Sequence, residues 1–64
     1  MPVVTVELLA GRSQEAKNEI AKEVTATLAK HALADPEHVY VVFRDVRPGD
    51  WAVAGVCLSN RQQK

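Results

Sequence analysis

The sequence predicts an α+β fold: one parallel βαβ unit followed by a short C-terminal hairpin or arm. Three observations predict it. Two β-branched apolar runs, PVVTVELL at 2–9 and HVYVVFRDV at 38–46, flank a segment without Gly or Pro. Apolar residues recur in that segment at helical spacing. The short stretch after 47 is punctuated by Pro48, Gly49 and Gly55. A helix between two strands is the signature of a parallel crossover unit.

The first run has a strand's alternation. Val4, Val6 and Leu8 share one parity, and Val3, Thr5, Glu7 and Leu9 share the other. One face is strongly apolar. Ala10-Gly11-Arg12 reads as a connection, with Gly11 free to adopt a turn conformation closed to other residues.

Ser13 is a good N-cap, and Gln14 and Glu15 occupy the first turn, where an acid suits the helix dipole. Ala16, Ile20, Val24, Leu28 and Ala32 follow at four-residue spacing, with Ala21 and Ala29 beside them. Lys17, Asn18, Lys22, Thr25 and Lys30 are assigned mostly to the solvent side. This is an amphipathic helix of about five turns. Asp35-Pro36 is expected to stop it, since the residue before a proline is pushed out of helical geometry. The second strand is expected over 38–46, starting at His38. A turn follows at 47–50, then a hairpin or arm from Trp51 to Gly55, and a loose polar end at 59–64.

The chain has 64 residues and reads as a single domain over 1–64. A chain this short buries only about 60% of its unfolded surface. Small domains gain stability from disulfides, metals or partner subunits. Cys57 is the one cysteine, so no intrachain disulfide forms. His31 and His38 with a lone cysteine do not make a zinc-ligand pattern. Oligomerisation is what remains, and 47% hydrophobic residues is generous for this length. A two-stranded parallel sheet does not stand alone. Two copies are expected to pair into a four-stranded sheet with helices on one face. The other face and the apolar arm at 51–58 are left to drive further assembly.

Eight basic and eight acidic residues give zero formal net charge, which argues against nucleic acid or anionic membrane as a partner. No apolar run reaches the roughly 20 residues of a membrane span. No basic-then-apolar leader precedes the first strand. A free cysteine without such a leader suits a reducing cytoplasm.

Taken together, these features resemble the 4-oxalocrotonate tautomerase family. The resemblance spans nearly all of 1–58. It rests on Pro2 directly after Met1, the apolar strand, Gly11-Arg12-Ser13, and a helix of this length. A second strand after a Pro-containing turn, and an aromatic at Trp51 ahead of Gly55, complete it.

The resemblance implies a homohexamer, a trimer of βαβ dimers, that uses no metal or cofactor. It implies a tautomerase acting on enol or keto carboxylates, of the kind found in aromatic hydrocarbon catabolism. Met1 is removed, and the exposed Pro2 amine moves a proton as general base. A secondary amine on a rigid ring has a fixed lone-pair direction. An apolar pocket disfavours the ammonium form and lowers the pKa toward working pH. A neighbouring arginine pushes the same way. With Met1 attached, the same nitrogen is an amide and has no basic lone pair.

Arg12 matches the arginine that binds a carboxylate, usually across a subunit boundary, and a guanidinium can do so with two parallel bonds. Trp51 stands where an aromatic makes the pocket apolar; a subunit-interface anchor is its other reading. Leu9 and Tyr40 complete the expected substrate-binding set. Tyr40 is the departure: it occupies the position of a second arginine on the second strand. Tyrosine donates one hydrogen bond and carries no charge. Arg44 has the same parity but lies about 13 Å further along the strand. A monocarboxylate enol therefore suits this chain better than a dicarboxylate muconate.

His31, His38 and Cys57 read as structural. Glu7 activating a water would suit a hydratase-type dehalogenase or decarboxylase, but no second acid accompanies it. A non-catalytic subunit of a mixed oligomer is the remaining alternative.

Overall fold

In the computed structural model, which describes residues 2–60, the two long apolar runs form a parallel pair. Strand β1 spans Val3–Leu9 and strand β2 spans Tyr40–Val46. Helix α1, Gln14–His31, connects them. The register runs from Val3 opposite Tyr40 to Leu9 opposite Val46, with no slip along its length. Two short strands, β3 at Ala52–Val53 and β4 at Val56–Cys57, pair antiparallel as a C-terminal hairpin. The hairpin begins one residue after Trp51, not at it. Met1 and residues 61–64, hence the removal of Met1 and most of the expected loose end, lie outside the described residues.

Alternation divides the sheet as the β1 pattern implies. Val4, Val6 and Leu8 are half-buried on the helix side, together with Val41 and Phe43. Lys17 on α1 and Asp45 on β2 also meet there, at 2.8 Å. Val3, Tyr40 and Val42 face away and are 63%, 50% and 41% exposed.

The helix begins as expected. The Ser13 side chain accepts a hydrogen bond from the Ala16 N–H at 3.0 Å. Its half-buried strip is wider than the sequence spacing indicates, because Lys17 and Thr25 belong to it. Lys17 lays its stem on apolar surface while its ammonium reaches Asp45, so only 15% of the side chain is exposed. Ala32 lies past the last turn and is exposed.

The helix also ends earlier than Asp35-Pro36 would stop it. Its last residue is His31, and Leu33 turns left-handed with φ 55°. The N–H groups of Ala32 and Ala34 both donate to the Leu28 carbonyl. Pro36 instead opens a 3-10 turn, Pro36–His38, which Asp35 caps by accepting from the Glu37 N–H at 3.0 Å. His38 therefore closes a turn rather than starting β2, and its imidazole lies 3.8 Å from the Asp35 carboxylate.

The molecule is a thin plate, 43 × 23 × 15 Å. Its radius of gyration is 14.9 Å, against about 11 Å for a compact chain of this length. One helix on one sheet leaves both layers open on their outer sides. None of the described residues is fully buried. α1 also lies nearer to β2 than to β1. This leaves a groove of about 300 Å³ between β1 and the second half of the helix, lined by Val4, Glu23, Val24, Thr27 and Leu28. The outer edge of β1 is unpaired.

Candidate active site

Pro2 stands just ahead of β1, half-buried. Its carbonyl accepts the Tyr40 N–H at 3.0 Å, extending the ladder one step beyond the strand. Because Pro2 donates no N–H, it fits the first position of an edge strand. Tyr40 thus sits beside Pro2 by backbone pairing, and its half-exposed side chain lies on the open face of the sheet.

The other three candidates sit at the opposite end. Leu9 closes β1 opposite Val46, and the Ala10 N–H donates to the Val46 carbonyl at 2.9 Å. Gly11 then turns with φ 122°, a backbone conformation that L residues rarely adopt. Arg12 follows, fully exposed, immediately before the Ser13 cap. Its loop is pinned on both sides, by the Ala10–Val46 bond and by Lys17 on Asp45. Among the described residues the guanidinium has no hydrogen-bond or ion-pair partner. An uncommitted guanidinium on a pinned loop is free to receive an external carboxylate.

Trp51 is half-buried where the chain leaves β2. A 3-10 turn, Pro48–Asp50, precedes it, and its carbonyl accepts the Leu58 N–H at 2.8 Å. These bonds tie the hairpin to the indole's backbone. Arg47, at this same end, is committed to Asp50, with Nη2 3.2 Å from Oδ2.

The structure therefore brings Pro2 together with Tyr40, and Leu9 together with the Arg12 loop and the segment leading to Trp51. It does not bring the two groups together. β1 keeps them about 20 Å apart, at 3.3 Å per residue. Among the described residues of one chain, Pro2 and Arg12 are too far apart to touch one small molecule.

Two further residues come into view only with the register. Glu7 and Arg44 lie directly opposite one another on the open face. Their matching parity was legible in the sequence; the alignment of the two strands was not. Among the described residues no group of three or more His, Cys, Asp or Glu is placed to hold a metal ion. No helix among them is long and apolar enough to cross a membrane.

Comparison with known proteins bears on both the fold and this division. Residues 2–61 match the family described as "Tautomerase enzyme". A probable tautomerase of Ralstonia nicotianae is 47% identical over 55 residues, covering 86% of this chain and 85% of that protein. The crystal structure of YwhB, a homologue of 4-oxalocrotonate tautomerase, superposes with a TM-score of 0.92 at 34% identity. It covers 95% of this chain and 100% of its own. A heterohexamer 4-oxalocrotonate tautomerase from Chloroflexus aurantiacus has a subunit with a TM-score of 0.89 and 27% identity. The match covers 97% of this chain and 100% of that one. The parallel βαβ unit, the hairpin and the near-complete span of the match lead to one assignment: this chain belongs to the tautomerase family of isomerase-type enzymes.

Proposed function

We propose that this chain is a cofactor-independent keto–enol tautomerase whose sites form between copies of the chain. The observation that carries this reading is the separation of Pro2 from Arg12 along β1. The open outer edge of β1 and the groove over Val4 support pairing of two copies into a four-stranded sheet. The likeness to a subunit of a heterohexamer supports a further step to six chains, taken here as a trimer of dimers.

In this reading Met1 is removed and Pro2 carries a free secondary amine. The neutral nitrogen accepts the hydroxyl proton of an enol acid as its oxygen becomes a carbonyl. The resulting ammonium delivers that proton to the carbon at the other end of the enol. The proton has moved from oxygen to carbon and the amine is regenerated. Arg12 of another copy holds the substrate carboxylate, while Trp51 and Leu9 keep the pocket apolar. Tyr40, beside Pro2, donates a hydrogen bond to the carbonyl oxygen. The Arg12 guanidinium and the Tyr40 phenol suit a monocarboxylate such as phenylenolpyruvate. The enzyme works in the cytoplasm, where its single thiol stays reduced.

Complementation tests the shared site. Pro2→Ala and Arg12→Ala are each nearly inactive. Denatured together in equal amounts and refolded, they regain about a quarter of the wild-type sites, those that draw Pro2 and Arg12 from different, intact copies. No regain on phenylenolpyruvate would falsify a site built from two chains.

A further inference from the structure

Arg12 and Arg47 leave the sheet at the same end, the end that carries Leu9 and Trp51. The Ala10 N–H donates to the Val46 carbonyl at 2.9 Å. Arg12 stands two residues beyond that bond on one segment, and Arg47 stands one residue beyond it on the other. Both residues are exposed. Their electrostatic standing differs. Arg12 has no hydrogen-bond or ion-pair partner among the described residues. Arg47 donates to the Asp50 carboxylate through both Nε and Nη2, at 3.3 and 3.2 Å. That pair is built into the turn ahead of Trp51. Pro48 fixes the first φ of the turn, and the Asp50 N–H donates to the Arg47 carbonyl at 2.8 Å.

An exposed pair of this kind contributes little to stability. Its effect on charge is definite: Asp50 cancels the Arg47 guanidinium beside the segment that holds Arg12. We propose that Asp50 is a specificity-determining residue, which by neutralising Arg47 tunes this end of the molecule to singly charged carboxylates. The proposal rests on the reading above, in which Arg12 holds the substrate carboxylate, and adds what selects the substrate's charge. A field acts on the whole charge of a substrate. A dianion therefore gains or loses twice the free energy of a monoanion from the same added charge. With Arg47 cancelled, the added attraction that favours a dianion is absent.

Kinetics on a monoanion and a dianion test this. Asp50→Asn keeps the size of the side chain and removes the cancelling charge. At low salt its kcat/KM rises about threefold for phenylenolpyruvate and about tenfold for 2-hydroxymuconate, mostly through KM, and both gains shrink as salt screens exposed charges. Arg47→Gln leaves the Asp50 carboxylate unopposed and shifts both values the opposite way by similar factors of about three and about ten. The double variant restores the wild-type ratio of the two substrates.

A turn with a purely structural role lowers both substrates alike in either variant, with no reversal of sign and no dependence on salt. An unchanged ratio in Asp50→Asn, or a ratio that moves the same way in both single variants, overturns the proposal. If Asp50→Asn loses its helical circular dichroism, Arg47→Gln decides, and an unchanged ratio there overturns it. A wild type inactive on both substrates overturns the functional reading and this inference together. An active wild type whose ratio ignores both substitutions overturns this one alone.

Discussion

The backbone N–H of Tyr40 donates to the carbonyl of Pro2 at 3.0 Å, so the residue proposed as base is fastened to β2 before β1 begins. That bond fixes the α-carbon of Pro2 while leaving its ring nitrogen to react. It also makes Tyr40 the cross-strand neighbour of Pro2.

Replacing the rigid secondary amine of Pro2 by the primary amine of Pro2→Ala is expected to lower kcat/KM for phenylenolpyruvate by about a hundredfold. The sign of the pH dependence follows from the need for a neutral base. Activity falls as the amine is protonated, so kcat/KM rises with pH and levels off above the amine's pKa. A chain retaining an uncleaved residue ahead of Pro2 is expected to show neither the activity nor the limb. Steady-state kinetics across pH 5 to 9 or so, with intact mass measured on the same samples, checks both.

Exchanging the neighbour tests the substrate class. Tyr40→Arg introduces a guanidinium beside Pro2 and is expected to raise the ratio of kcat/KM for 2-hydroxymuconate over phenylenolpyruvate by about tenfold or more. Tyr40→Phe removes only the hydroxyl and is expected to cost about tenfold on the monocarboxylate. An unchanged ratio in Tyr40→Arg counts against a place for residue 40 in the pocket.

Much of this fold was legible because its signals are local. Ser13 names its own cap, and Val4, Val6 and Leu8 name the helix-facing side by parity alone. The early end of α1 was not legible: Leu33 terminates it left-handed, a conformation that leucine itself does not signal. Lys17 looked solvated because its charge masks a four-carbon stem that packs. The site was legible as residue types only. Parallel register places Glu7 opposite Arg44 and Pro2 beside Tyr40, and no property of either strand read by itself specifies that alignment.

The Lys17–Asp45 pair is expected to hold the helix start, and with it the Arg12 loop, against the end of β2. Asp45 is 43% exposed, so solvent screens the pair and limits its worth. Lys17→Met keeps the stem and is expected to lower stability by about 0.5–1 kcal/mol in urea unfolding, a difference that shrinks at high salt. A larger proportional effect on KM than on kcat would tie the pair to Arg12 placement.

The hairpin carries an avoidable strain. Ala54 and Gly55 form its two-residue turn with φ 55° and 84°. Both central residues of such a turn need positive φ, which asparagine tolerates better than alanine. Ala54→Asn is expected to stabilise the protein by about 0.5–1 kcal/mol without changing kcat. Thermal and urea unfolding check the gain. A loss of stability would mean the Ala54 methyl is packed in the working assembly.

The plate is 15 Å thick and none of its described residues is fully buried. A layer that thin gives its apolar side chains no interior of their own, so folding and association are expected to be a single event. Refolding is then second order or higher in chain, and the melting temperature rises with dilution reversed, each tenfold increase in protein raising it. In the proposed shared site, a nascent chain leaving the ribosome is unfinished until it meets its siblings, and the rate of synthesis sets how soon Pro2 has another copy's arginine to work with.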